Sequence, residues 1–376
     1  MENIYIQQWD AEKFFNSRKE WTDLLNRSDA DPLFLSWEWQ SSWWQFFSEK
    51  NNMQLRLYAV YADDDMLIGI APLFSTSVTI KNIIKTTRLQ FIGNCWRGKS
   101  TMPTELLSFI ADKAVSKAVI RTICSHIDSL DDWDEFIIPY LDMKSQTYRL
   151  IFDETLFVSS YLRSAENYRS YFLSTIGSFD DYTQKLGRNT RLKLLNRRKN
   201  LHQLGAVKFR RMLADDIDDK FKLLNQLHDR RWSRPAFEHE RLAFNKAISN
   251  LMAQKKCLNF SIISLDDTPI SIQYNYVINH HNYNIQAGFD ESLHKKISPG
   301  YLHFGYEIEA SFEQNYLVYD FLAGEGKNTQ YKERLTDDYL QMIDLQIIRR
   351  PLLKFIYRLY DSAGQILLGS GKSYNG

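Results

Sequence analysis

Cysteine is scarce and scattered in this chain of 376 residues: Cys95, Cys124 and Cys257 lie far apart, with no Cys-x-x-Cys spacing and an odd count. That excludes a disulfide framework and a thiolate zinc site, and it points to a reducing cytoplasm. An excess of one charge is also missing, with 47 basic residues against 46 acidic and a net charge of +1. A protein that wraps bulk nucleic acid, or is held to a membrane by its overall charge, is excluded on that ground. No apolar run approaches the roughly 18 residues of a membrane span. The start MENIYIQQWDAEKFF has neither the basic nor the apolar region of a secretory signal, so the expectation is a soluble, cytoplasmic protein. Familiar catalytic signatures are absent too. There is no Gly-x-Ser-x-Gly elbow, GSGKS near the end lacks the first glycine of a P-loop, and GEGKN lacks the hydroxyl residue for magnesium. His280 and His281 are neighbours on a strand and point to opposite faces, so no metal site is expected.

What is present is apolar material for cores, 44% of the chain, in a length that suits two ordinary domains. Two segments share one pattern: LRLYAVYADDDMLIGIAPLF from Leu55 and LNFSIISLDDTPISIQYNYV from Leu258 each read as strand, acidic turn, strand. Helical sequence precedes both, Ala11 to Arg27 and Trp37 to Phe47 in the first half, Asp215 to Trp232 and His239 to Gln254 in the second. A repeat on this scale implies a duplicated α/β unit, each hairpin supplying a sheet that its helices cover. Between the halves, GRNTRLKLLNRRKNLHQLG reads as a basic amphipathic helix stopped by Gly205. Arg188, Arg191, Lys193, Arg197, Arg198 and Lys199 suit the phosphates of a nucleotide-bearing donor or an acidic carrier protein, and equally a solvated helix face.

The most informative stretch runs from Asn284 to Arg334: a strand, the turn Ser298-Pro299-Gly300, a helix, the strand YLVYDFL, then a Gly-rich loop leading to Tyr331-Lys332. Strand, turn and helix in that order bring the unpaired N–H groups of a helix start beside a strand end, a geometry that suits phosphate or a developing oxyanion. In these residues, SPGYL after GFDESL and YDFLAG followed by YK, the chain resembles the BioF2-like or CelD-like acetyltransferases of cellulose and exopolysaccharide synthesis. That family is a GNAT branch and distant kin of the FemABX aminoacyltransferases. The resemblance implies an α/β (α+β) fold of tandem GNAT-like domains, with mixed, mostly antiparallel sheets covered by helices. Residues 1–170 would be a degenerate first domain, and 171–376 the catalytic one, including the basic helix 188–204 and a C-terminal helix 351–368.

Acetyl-CoA or another acyl-CoA is the donor the resemblance implies, with acyl-ACP as the alternative, because the usual Q/R-x-x-G-x-G/A phosphate loop is absent. Lys296, Ser298, Pro299 and Gly300 are the donor-binding candidates. Acyl transfer needs a base, oxyanion donors and an acid for the departing thiolate. Asp320 at the strand end is the candidate base, and Tyr331 the proton donor. Gln286, Asp290, Gly324 and Lys332 are substrate-binding candidates, with Tyr274 on a strand leading to the same place. In the first half, PLFLSWEWQSSWWQFF offers Trp37, Glu38 and Trp39 as a sugar-binding wall, or simply a packed aromatic helix face. The acceptor implied is an amine or hydroxyl of a sugar or envelope precursor. An aminoacyl-tRNA donor bound by the basic helix, and a non-catalytic subunit of a polysaccharide synthesis complex, are the alternatives. Finally, Pro351 opens a helix with Arg350, Lys354 and Arg358 on one side and Leu352, Phe355, Ile356 and Leu359 on the other. That pattern fits weak contact with a membrane surface, and it fits a helix docked on its own core.

Overall fold

The structure, a computed structural model, describes residues 4–369 apart from 64, 81–82, 99, 155, 213–215 and 325–330. The first seven strands are β1 (Tyr5–Trp9), β2 (Gln54–Tyr61), β3 (Leu67–Ile80), β4 (Ile84–Phe91), β5 (Ile110–Ala111), β6 (Glu135–Asp142) and β7 (Tyr161–Ser174). They are followed by β8 (Val207–Met212), β9 (Leu258–Leu265), β10 (Thr268–Ile278), β11 (His281–Phe289), β12 (Val318–Leu322) and β13 (Tyr339–Ile348). The helices before the midpoint are α1 (Ala11–Asn16), α2 (Arg18–Asn26), α3 (Trp37–Phe47), α4 (Ser116–Ser129) and α5 (Gln146–Asp153). Those after it are α6 (Phe179–Lys185), α7 (Arg188–Arg191), α8 (Arg198–His202), α9 (Ile217–Trp232), α10 (His239–Gln254), α11 (Pro299–Glu313) and α12 (Pro351–Gly369). The fold is mixed α/β, a mostly antiparallel sheet flanked by helices.

The strands run in the order β1-β2-β3-β4-β6-β13-β7-β12-β11-β10-β9-β8, with β5 beside β3. Among the described residues only β4–β6 and β11–β12 pair in parallel. The two flanks therefore follow one plan: a four-stranded meander, a parallel neighbour, then an antiparallel strand. The hairpins from Leu55 and Leu258, β2–β3 and β9–β10, hold like positions in it. Two separate sheets were the expectation, and here the structure differs. The last strand of each flank is exchanged: β7, from the end of the first half, lies beside β12, while β13, from the end of the second, lies beside β6. β13 and β7 then pair with each other from Tyr339↔Tyr171 to Ile348↔Tyr161, which fuses the flanks into one sheet and leaves neither β6 nor β12 an open edge. Residue 170, where the sequence divides, falls inside β7.

Local chemistry sets the elements that matter most. Ser36 caps α3 by accepting the N–H of Trp39, and the helix then turns Trp39 and Trp43 into the interior. Trp39 packs edge-on against Phe34, Phe244 of α10 and Tyr276 of β10, so one core joins the two halves. The helix expected from Ala11 to Arg27 breaks at Ser17, whose hydroxyl donates to the carbonyl of Phe14. The single basic helix expected over 188–204 is likewise broken, with a π-turn at Leu192–Asn196 between α7 and α8. The reason is close packing on α11: a Cβ at Gly305 would lie 2.3 Å from the carbonyl oxygen of Leu194. α12 also differs from a docked core helix. Leu353 is buried, Lys354 donates to the carbonyl of Ser159 and Asp361 pairs with Arg163, all against first-half elements, while Leu352, Phe355 and Leu359 face outward. The GSGKSYNG tail beyond Gly369 and most of the Gly-rich loop before Tyr331 lie outside the described residues. Among the described residues no helix is long and apolar enough to cross a membrane.

Candidate active site

The site begins where two strands part. β11 and β12 pair only over His281–Tyr283 and Val318–Asp320. Beyond that point β11 continues to Phe289 alone on this side, so its edge from Asn284 onward faces a cleft of about 1420 Å³. The Ser298-Pro299-Gly300 turn lines the far end. Pro299 occupies the first helical position of α11 and has no N–H to leave unpaired. The N–H groups of Gly300 and Tyr301 have no intrahelical acceptor, and Ser298 makes no side-chain cap bond, so the helix start presents its donors and positive dipole end to the cleft. Gly300 is required there: a Cβ would sit 2.6 Å from the ring of Phe289. Arg231 stands over that ring at 4.3 Å and pairs with Glu291, which places a guanidinium on the cleft wall.

The other end is closed by the first half. Irregular chain over 92–98 and 100–107 replaces the turn-and-helix seen after β11, and it carries Asn94, Trp96, Arg97, Met102 and Glu105 into the cleft. Sequence reasoning missed Glu105; its only signal was its place in that anomalous coil. Its carboxylate accepts the N–H of Ala323 at 2.7 Å and of Gly324 at 3.4 Å, and burial raises it above the usual carboxylate range against the pull of Lys332. Asp344 of β13, also missed, accepts from Trp96 Nε1, the Tyr168 hydroxyl and the Tyr140 N–H, each at 3.0 Å. The rings of Tyr140 and Tyr168 lie 4.7 Å apart on the same wall.

The predicted residues divide sharply. Ser298, Pro299, Gly300, Gln286, Gly324, Tyr331, Lys332 and Trp39 all line the cleft. Tyr331 packs on Phe304 and Tyr301, and burial pushes its hydroxyl up, so it is protonated at neutral pH and able to donate. Lys332 is present in a different role from anion holding. Its ammonium donates to the carbonyls of Phe321, Leu322 and Ala323 at 2.7, 2.6 and 3.0 Å, and burial lowers it to about 8 despite Glu105 and Asp320 nearby.

Asp320 does not line the cleft, and its neighbours Tyr319 and Phe321 take the face that packs on α11. Its carboxylate accepts the N–H of Leu322 at 2.7 Å and meets His281 Nε2 at 3.0 Å. Leu322 holds a left-handed φ of 58°, so Asp320 braces a strained turn. Lys296 is exposed and outside the cleft lining. Asp290 folds back on Ser292 N and Oγ at 2.9 and 2.6 Å and pairs with Arg230, closing its own turn. Glu38 is an internal ion: Lys255 at 2.6 Å and Arg18 at 2.9 Å outweigh the cost of burial and hold its carboxyl below the ordinary value. Trp37 donates to the carbonyl of Phe14, and Tyr274 is buried against Phe260 and Ser249. Packing accounts for Trp37 and ion pairing for Glu38, rather than sugar binding, and Tyr274 is a core tyrosine.

Comparison with known proteins agrees with this geometry. Residues 188–333 match the family described as "Acetyltransferase (GNAT) domain". No curated protein matches the chain. Among solved structures, a conserved protein of unknown function from Bacteroides thetaiotaomicron superposes with a TM-score of 0.55 at 14% identity, over 92% of this chain and 100% of that one. FemX gives 0.60 at 10% identity, over 94% and 99%. The C-terminal domain of a putative lysylphosphatidylglycerol synthetase from Agrobacterium fabrum gives 0.52 at 7% identity, over 93% and 96%. At such identities the structures share a fold. The family match places a GNAT-type acetyltransferase domain in the second half, over residues 188–333.

Proposed function

We propose that the chain moves an acyl group from acyl-CoA to the amine of an acceptor such as an amino sugar of an exopolysaccharide or envelope precursor. The observation that carries this reading is the parting of β11 from β12 beside the N-terminus of α11. A pantetheine arm fits as a replacement partner for the unpaired edge of β11, and the donor's pyrophosphate fits the N–H groups of Gly300 and Tyr301 with Arg231 alongside. The acceptor enters from the first-half wall, where Trp96, Tyr140 and Tyr168 offer rings to a sugar face. Glu105, raised by burial, takes the proton as the amine nitrogen bonds to the thioester carbon. The C–S bond breaks as the tetrahedral intermediate collapses, and the thiolate takes a proton from Tyr331. Mass spectrometry of amino sugars incubated with the protein and acetyl-CoA tests this. A mass gain of one acetyl group that Glu105→Gln abolishes is the expected result. Calorimetry with acetyl-CoA, acyl-ACP and aminoacyl-tRNA decides the donor, and binding of the last alone would reject acyl-CoA.

A further inference from the structure

A second, smaller cavity of about 240 Å³ opens where three segments meet: Asn189, Thr190 and Lys193 from the basic stretch between the halves, Tyr301 from the start of α11, and Arg334 from the turn Lys332–Arg334. Buried neighbours fix each segment. Leu194, next to Lys193, packs with Phe304 and Ile308 of α11, and Lys332 and Leu335, close to Arg334 in the chain, are buried as well. Tyr301 also lines the large cleft, so the two cavities share a wall beside the helix start that suits the donor's pyrophosphate.

The lining holds two cations and no acid. Lys193 Nζ stands 5.3 Å from the centre of the Tyr301 ring. Arg334 reaches the hydroxyl of the same residue, where its charge works against the burial that raises that group. Among the described residues neither cation is in an ion pair, whereas Arg198 and Arg231 are paired with Glu309 and Glu291. Glu333, beside Arg334, turns instead to Arg169 and the Tyr171 hydroxyl. Two like charges held against one ring without a counter-charge make a site that an anion neutralises, and the cavity has room for a phosphate group and ordered water. We propose that it takes a phosphate monoester on the donor's nucleoside, the 3′-phosphate of an acyl-CoA, with Lys193 and Arg334 as its counter-charges. The inference rests on the acyl-CoA reading of the donor and sharpens it: a phosphopantetheine arm on a carrier protein bears no such group, so the cavity selects free acyl-CoA over acyl-ACP.

Calorimetric titration of the full chain with acetyl-CoA and with acetyl-3′-dephospho-CoA, on wild type and on Lys193→Met/Arg334→Met, tests it. Lys193 is half-buried and Arg334 exposed, so the double variant should keep its circular dichroism. Wild type should bind acetyl-CoA about tenfold or more tightly than the dephospho ligand, by a margin that shrinks between about 50 mM and about 0.5 M salt. The double variant should hold acetyl-CoA no better than wild type holds the dephospho ligand, with its affinity for the dephospho ligand within about twofold of wild type. Equal binding of the two ligands by wild type overturns the proposal and leaves the acyl-CoA donor standing. So does a double variant that keeps the preference or weakens both ligands alike. Binding of acyl-ACP that the double variant abolishes, with no preference between the two nucleotides, would assign the cations to a carrier protein's acids instead. If neither nucleotide binds, the donor reading falls and this inference with it.

Discussion

Replacing Lys332 by Met removes one ammonium that satisfies three buried carbonyls at the end of β12. Glu105 holds the N–H groups of the same turn from the opposite pole, so the turn is gripped by a cation on its carbonyls and an anion on its amides. Truncating one partner of a buried charged arrangement costs about 3–5 kcal/mol, because the groups left behind keep their burial and lose their compensation. The expected loss in urea-unfolding free energy at neutral pH is therefore about 3–5 kcal/mol, and adding Glu105→Gln should recover part of it, with a coupling of about 1 kcal/mol or more in a double-mutant cycle. The pH dependence carries a second signature. Lys332 titrates at about 8 in the folded protein, below its ordinary value of 10.5, because burial penalises the ammonium. Between those pH values the unfolded chain binds more protons than the folded one, so this group makes stability rise with pH across the window, by about 3 kcal/mol in all. Lys332→Met should lack that rise. A loss below about 1 kcal/mol at neutral pH, or identical slopes from pH 8 to 10.5 in the two proteins, would refute the bipolar grip.

Five other substitutions separate donor binding, chemistry and structure. Gly300→Val, whose side chain collides with the Phe289 ring, should weaken acetyl-CoA binding by about tenfold or more in calorimetry, and unchanged affinity would remove the turn from the donor site. Glu105→Gln should lower kcat by about two to four orders of magnitude with donor affinity retained, and Tyr331→Phe should slow thiolate release in burst kinetics. Asp320→Asn keeps an oxygen for the Leu322 N–H, so turnover should stay within about threefold while stability falls by about 1–2 kcal/mol. Glu38→Gln should cost about 1–2 kcal/mol of stability by weakening its bonds to the partly exposed Lys255 and Arg18, without altering kcat/KM.

How much of this was legible in the sequence follows from whether the signal is local. Helices α3 and α10, strand β13 and the Pro351 start were legible because periodicity and caps act within a few residues. So was the Ser-Pro-Gly helix start. The side of β12 that Asp320 would face was not, since a strand residue's face depends on what packs on its neighbours, here Tyr319 and Phe321 on α11. Glu105 and Asp344 were invisible for a related reason: they reach the cleft across 218 and 248 residues of chain, as their bonds to Ala323 and Trp96 show, and no local pattern encodes a partner that distant. The exchanged strands escaped notice because an antiparallel strand looks the same whichever half adopts it.

That exchange governs how the polypeptide comes off the ribosome. β6 cannot acquire its second sheet neighbour until residues 339–348 have been made, about 200 residues after it, so the first half waits with a bare edge. A truncated chain ending before β13 would keep that edge and tend to aggregate through it, and the two halves cannot be expressed as autonomous pieces. Maturation is thus a late, long-range closure, slow by its contact order, and a nascent chain stalled short of Tyr339 is one for chaperones to guard.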